Sequence, residues 1–279
     1  NKKNGYQLDF GAALNNNNEA LYESAYVTNY KNMQFIWFNQ KFSKLSLSFL
    51  ALNNGYQYEN LVENKFQVAY LQTIGTYGKW DASKFYGDFG LYAQTGEAAI
   101  TNDKVDVGAY YAGFNLGYKF TNPFKAELGF EYLSGKDQND TDTKVKSFTP
   151  LFGTNHGFNG LMDYFYVGNH KNSVGLQDIY TKFIFDKNKW QVTLSPHLFY
   201  SAASVYNMTT LEEQDNYLGT EIDLTATYKL DKNFVISGGV SKMFASDTME
   251  VLKGGNNNNC NNWAWVMVSF NPQLFTYKK

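Results

Sequence analysis

Apolar and polar residues alternate along most of the chain with the period of two that a β-strand imposes. In 221–230, Ile222, Leu224, Ala226, Tyr228 and Leu230 share one face; Glu221, Asp223, Thr225, Thr227 and Lys229 share the other. In 124–132, Ala126, Leu128, Phe130 and Tyr132 oppose Lys125, Glu127, Gly129 and Glu131. In 190–200, Trp190, Val192, Leu194, Leu198 and Tyr200 oppose Gln191, Thr193, Ser195 and His197. The same alternation runs through 6–12, 45–51, 85–93 and 112–120. It is weaker over 33–42, 66–74, 176–185, 234–244 and 263–270. The pattern predicts about twelve strands, many near the ~9–11 residues that a tilted strand needs to cross a bilayer.

The connections sharpen this reading, because they alternate in length. Short ones fall near Ser43, Asp81, Asn122, Lys187 and Asp231, and long ones at 14–31, 53–64, 96–104, 135–174, 201–217 and 246–262. Short turns on one side and long loops on the other mark an outer-membrane barrel. A soluble β-sandwich has no reason to segregate its loops in this way. Phe42, Trp80, Phe85, Phe120, Phe124, Phe185, Trp190 and Phe234 all lie close to the short turns. Amphipathic rings prefer the headgroup level; the competing reading is an aromatic core in a soluble all-β protein. The fold expected is therefore all-β: one transmembrane antiparallel up-and-down β-barrel domain over 1–279. It would sit in the bacterial outer membrane with its short turns in the periplasm. The opening Asn1-Lys2-Lys3-Asn4-Gly5 is similar to the turns at 186–189 and 231–233, so further strands are expected upstream.

Composition adds limits. Aromatic residues make up 18%, Tyr 22 and Phe 23 among them, and Pro numbers only 4, as suits many long strands. No apolar run reaches the ~20 residues of a transmembrane helix. The mean hydropathy of -0.45 suits a soluble protein and a transmembrane barrel alike. A net charge of -2 gives no field for nucleic acid. Every basic residue is Lys, which weakens the case for bidentate phosphate or carboxylate clamps. The single cysteine, Cys260, permits neither an intrachain disulfide nor a thiolate metal cage. His156, His170 and His197 show no metal-ligand spacing, and no metal or cofactor is expected.

Candidate chemistry lies on the polar face of the strands and in the longest loop. Lys41, Asp88, Lys119, Lys125, Glu127, Glu131, Lys182, His197, Glu221, Asp223 and Lys229 are the candidates for lining a lumen, with Asp9 beside them. Both signs occur, so the carboxylates either attract cations or are neutralised by lysines. Ser195 shares a face with His197, but two residues along an extended strand exceed hydrogen-bond reach and no orienting third group is evident. No enzymatic activity is expected. The run Asp137-Gln-Asn-Asp-Thr-Asp-Thr143 has oxygen donors for Ca²⁺ but lacks the glycine turn and closing Glu of an EF-hand, and reads as a solvated loop. In 135–174, Phe148, Leu151, Phe152, Phe158, Leu161, Met162 and Tyr164 call for a packing surface. The barrel interior is the nearest one. Thr154, Asn155, His156 and Asp163 then become constriction candidates; the plainer reading is a loop ordered by its own turn hydrogen bonds.

The stretch Phe148-Thr-Pro-Leu-Phe-Gly-Thr-Asn-His156, followed by Gly160-Leu-Met-Asp-Tyr-Phe-Tyr-Val-Gly168, resembles the Gly-Thr-Asn-His…Asp-Tyr-Phe region of the alginate-export family of outer-membrane proteins, in its Bacteroidetes-like forms. The resemblance implies a barrel of about eighteen strands, of which this chain would be the C-terminal two thirds. It also implies export of an anionic polysaccharide such as alginate, or a porin-like relative with other cargo. That family's exporter lines its pore with basic residues, Arg prominent among them; the mixed polar face here departs from that. The expected function is a porin-like channel passing polar solutes or such a polysaccharide by diffusion, with outer-membrane lipid around it. The alternative is a structural or interaction barrel whose extracellular loops bind partners in a surface complex. A pore predicts the 135–174 loop folded inward, and a docking protein predicts it projecting outward.

Overall fold

The computed structural model describes residues 5–15, 21, 29–153, 156–157, 159–273 and 275–276. Twelve strands form one antiparallel sheet in simple chain order. They are β1 (Tyr6–Leu14), β2 (Asn32–Lys41), β3 (Leu45–Asn60), β4 (Lys65–Ala82), β5 (Phe85–Ala99), β6 (Lys104–Lys119), β7 (Phe124–Leu133), β8 (Leu176–Lys187), β9 (Trp190–Tyr200), β10 (Tyr217–Lys229), β11 (Phe234–Ala245) and β12 (Asn261–Phe270). Every strand expected from the alternation is present. Two of the expected long connections are not. β3 and β4 run for 16 and 18 residues and are joined by a tight turn at 61–64. β5 and β6 run for 15 and 16 and turn at 100–103. The extra length carries polar residues on both faces, which erases the alternation but not the backbone ladder: Asn53 pairs with Gln72 and Asn60 with Lys65. Asn53 Nδ2 donates to Gln34 and Gln72 Nε2 donates to Asn53, both at 2.7 Å, extending the ladder into the side chains.

Directly opposed residues of an antiparallel pair share a face, so the register fixes two surfaces. On the outer one, Phe114 lies opposite Phe130, Leu116 opposite Leu128, and Leu224 opposite both Leu194 and Val240. These side chains are exposed, as are Phe49, Ile74, Leu91, Phe183, Ile236 and Val266. An apolar band across all twelve strands far exceeds the few hundred Å² that soluble monomers expose; it is the surface of a sheet that spans a membrane. Among the described residues no helix is long and apolar enough to cross one. At the short-turn rim, rings pair across strands on the same outer face. Phe85 meets Tyr118 at 4.9 Å, Phe124 meets Phe185 at 5.5 Å, Trp190 meets Tyr228 at 4.7 Å and Phe234 meets Phe270 at 6.0 Å between centroids. They point away from any core, as a headgroup-level girdle does.

The core lies on the inner side, near the long-loop end. Residues 134–175 leave β7, and Val145 bridges to Val107 on the upper part of β6. The segment then turns inward, burying Phe148 and Phe165 among Leu133, Leu176, Phe199, Leu218 and Met243. The helix α1 (Asp247–Lys253) closes this core with Met249, and its N-terminus is capped by Ser246 Oγ accepting from Met249 N–H. β1 and β12 are the two edges of the sheet; no pairing joins them among the described residues.

Candidate functional site

Four adjacent strands each place polar side chains on the inner face at one height. Glu131 of β7 lies opposite Asp178 of β8. His197 of β9 lies opposite Tyr180 of β8 and Glu221 of β10, and Asp223 follows one step down β10. His197 Nδ1 is 3.0 Å from both carboxylate oxygens of Asp178, and Nε2 is 3.9 Å from Asp223 Oδ2. The imidazole stacks against Tyr180 at 5.2 Å and Phe199 at 5.6 Å. Tyr180 can lie along the wall because the residue opposite it is Gly129, where an added Cβ would stand 2.0 Å from the tyrosine ring.

The inner loop supplies the donors that these carboxylates need. Asn159 Nδ2 donates to Glu131 Oε2 at 3.0 Å and to Asp178 Oδ2 at 3.2 Å. The backbone N–H groups of Leu161 and Met162 donate to Glu221 Oε1 at 2.7 and 2.9 Å, and Leu161 N–H also approaches Asp223 Oδ2 at 3.3 Å. Gly160 makes this seat possible. Its φ of 78° lies in the left-handed region, and a Cβ there would come within 2.6 Å of the Glu221 carboxylate. Asn159, Asp178 and Glu221 are fully buried by the contact. Further along the tip, Asp163 accepts from Gly157 N–H at 3.1 Å and stands 2.7 Å from His156 Nδ1. The His156 ring meets Trp263 of β12 at 5.5 Å, so the tip reaches from β7 across to β12.

Glu131, His197, Glu221 and Asp223 are thus brought together under the loop. Lys182 stands beside them with its ammonium 5.0 Å from the Tyr180 ring. Glu127, lower on the inner face, accepts from Tyr86 Oη at 2.8 Å. Lys119 pairs with Asp81 at 2.8 Å and Lys125 with Asp186 at 3.5 Å near the short turns. Lys41 and Lys229 sit at that rim, and Asp88 and Asp9 lie on the inner face of β5 and β1. The mixed charge expected from the sequence is therefore uneven in height: Lys41, Lys119, Lys125 and Lys229 lie at the short-turn rim, while Glu131, Glu221 and Asp223 gather at the loop with Lys182 beside them. Thr154 and Asn155 lie outside the described residues. Asp178, Asn159 and the two backbone amides escaped the sequence reading. Asp178 was within reach of it, because it alternates in step with Tyr180 and Lys182. The amide donors meet Glu221 across about sixty positions of chain, which no local pattern encodes.

The remaining titratable groups of the loop do other work. His170 is buried beside Phe165, its Nε2 3.2 Å from the Phe165 carbonyl, and burial pushes its pKa down to about 4. Lys253 of α1 sits over the Phe165 ring at 5.3 Å, and burial lowers its pKa as well. In the acidic run, Asp140 and Asp142 pair with Lys146 at 2.6 and 3.4 Å. Hydrogen bonds from Lys146 to Asp140 and from the Lys144 backbone to Asp142 hold both carboxyls below the usual range, so this exposed run is answered by its own neighbours.

No family model matches the chain, and no curated protein matches it. The resemblance to the alginate-export family, loose over the strand pattern, is distinctive in the loop residues alone. Among solved structures the chain is similar to the copper transporter OprC, with a TM-score of 0.40 and 12% sequence identity, over 78% of this chain and 38% of that one. The chain spans well under half the length of that protein, and a likeness this distant says nothing of cargo.

Proposed function

We propose that the chain forms the wall of an outer-membrane channel narrowed by its own inner loop, through which small polar solutes diffuse, cations in preference to anions. The observation that carries this is the seat of the loop tip on inner-face carboxylates, Glu131, Asp178, Glu221 and Asp223. These carboxylates are buried against the loop, so they act on the passage beside it through their net negative field, which draws cations and repels anions. An anionic polysaccharide, which the family resemblance implies, suits such a narrowing poorly. In lipid every backbone N–H and C=O must be paired, so the edges of β1 and β12, unpaired among the described residues, must be covered in the assembled wall. We assign no catalytic role. His197 Nε2 faces a carboxylate rather than the hydroxyl that a Ser-His site requires.

Planar-bilayer recording of the full-length protein under a salt gradient tests the reading. A reversal potential favouring cations supports it; an electrically silent or anion-selective protein overturns it. The alternative, an interaction barrel, draws on the β3–β4 and β5–β6 hairpins, whose 15–18-residue strands rise above their neighbours. A silent barrel that co-purifies with a surface partner through those hairpins would favour it.

A further inference from the structure

Where the loop meets the wall, four side-chain oxygens are buried with no hydrogen-bond partner: Glu221 Oε2, Asp223 Oδ1, Asn159 Oδ1 and Ser241 Oγ. Their residues are 0, 3, 1 and 3% exposed. Three of them adjoin on β10 and β11, and the fourth is on the loop tip that covers them. Leu161 N–H touches both carboxylates, so Glu221 and Asp223 stand side by side. Asn159 lies two residues before Leu161 on the same tip. Ser241 of β11 is directly opposite Asp223 and shares its inner face. Buried polar atoms are almost always satisfied, and a buried carboxylate without a counter-charge is costly.

The available positive groups are committed elsewhere. The amide NH₂ of Asn159 is given to Glu131 and Asp178, and His197 Nδ1 to Asp178. His197 Nε2, at 3.9 Å from Asp223, is too far for a hydrogen bond. The Lys182 ammonium rests over Tyr180, on β8. Glu221 and Asp223 are left with two backbone N–H groups between them. The neighbouring buried donor without a partner, Trp265 Nε1 beside Gly239, carries no charge, so the unmet demand of the two carboxylates is for positive charge.

We infer that this junction is a binding site for one hard divalent cation of the calcium type, held by Glu221, Asp223, Asn159 and Ser241. Two carboxylates completed by an amide oxygen, a hydroxyl and water form the oxygen set such ions take. All four ligands are oxygens, which disfavours softer metals that want nitrogen or sulfur. The ligands come from two wall strands and the loop tip, so the ion staples the loop to the wall. The competing occupant is a proton shared between Glu221 and Asp223. The inference extends the channel reading without resting on it, because binding is read without conductance.

The test uses the full chain in detergent, stripped with chelator and titrated with Tb³⁺. Trp265 faces inward on β12 opposite Gly239, next to β11, and sensitises terbium luminescence. The inference predicts one Tb³⁺ per chain, displaced by Ca²⁺, and a 135–174 loop that resists protease better with Ca²⁺ than with chelator. Glu221→Gln keeps Oε1 as an acceptor for the loop amides, so the loop remains docked in chelator, yet it and Asp223→Asn weaken Tb³⁺ binding at least about tenfold. Asp140→Asn, in the exposed acidic run, leaves binding unchanged. Absence of stoichiometric binding overturns the inference, and so does binding that Glu221→Gln and Asp223→Asn do not alter. An infrared carboxylic-acid band lost in Glu221→Gln, together with no cation binding, assigns the site to a proton. Terbium binding with a silent bilayer would retain the site and remove the channel.

Discussion

Replacing Glu221 by Ala removes the acceptor that seats the inner loop. Two backbone N–H groups, at 2.7 and 2.9 Å from Oε1, lose their partner together. A hydrogen bond to a charged group contributes about 1.5–3 kcal/mol, so the pair contributes about 3–6 kcal/mol to docking. Water entering the space left by the side chain takes up part of that loss, leaving a net cost of about 2–4 kcal/mol. At about 1.4 kcal/mol per tenfold, the population of undocked loop rises on the order of a hundredfold. Glu221→Gln keeps a neutral acceptor in place and costs about half as much, since charge-assisted bonds are roughly twice as strong as neutral ones. Hydrogen–deuterium exchange in chelator reads the effect directly: the amides of Leu161 and Met162 lose protection in Glu221→Ala and largely keep it in Glu221→Gln. Bilayer conductance rises in the same order. Wild-type protection at both amides in Glu221→Ala would refute the assignment of Glu221 as the loop's anchor.

Other outcomes follow from the same geometry. His170 is buried neutral with its pKa near 4, against an ordinary 6.5. The stability it gives the loop is complete above 6.5 and is lost as pH falls toward 4, by about 3 kcal/mol; protease sensitivity of 135–174 should climb through that window, and in His170→Phe the climb should flatten. Phe199 is fully buried and packs at a tilt against Phe165, centroids 4.8 Å apart, so Phe199→Ala should cost about 3–5 kcal/mol, read as a lower unfolding temperature in detergent. Leu224 lies on the outer face midway along β10. Leu224→Lys should cost about 2–4 kcal/mol in lipid while its inner-face neighbour Thr225→Lys costs far less, measured by unfolding from liposomes.

All twelve strands were legible because lipid on one side and water on the other enforce alternation wherever a strand crosses the membrane. Where β3 to β6 rise beyond it, that constraint lapses. Asn53, Asn54 and Gln57 then look like loop residues, although the backbone pairing continues unbroken through them. The inward course of the long loop was only partly legible from its apolar residues: the core buries Phe148 and takes Leu151, Met162 and Tyr164 at its edge, but Phe152 stays exposed. Its anchor was only half legible. Glu131, Glu221, Asp223 and His197 fall on the polar face by period alone, but the groups they bind are an Asn side chain and two backbone amides on a segment with no period. The uneven height of the charges was also hidden, because strand register along the membrane normal cannot be read from one strand at a time.

The central claim is that one face of this sheet meets lipid and the other meets water. Single cysteines at each position from 222 to 227 on β10, in a Cys260→Ser background in liposomes, test it with a membrane-impermeant thiol reagent. The account predicts labelling at 225 and 227, weak labelling at 223, which the docked loop covers, and protection at 222, 224 and 226. Equal labelling on both faces, or labelling confined to the Ile222 and Leu224 side, would contradict it.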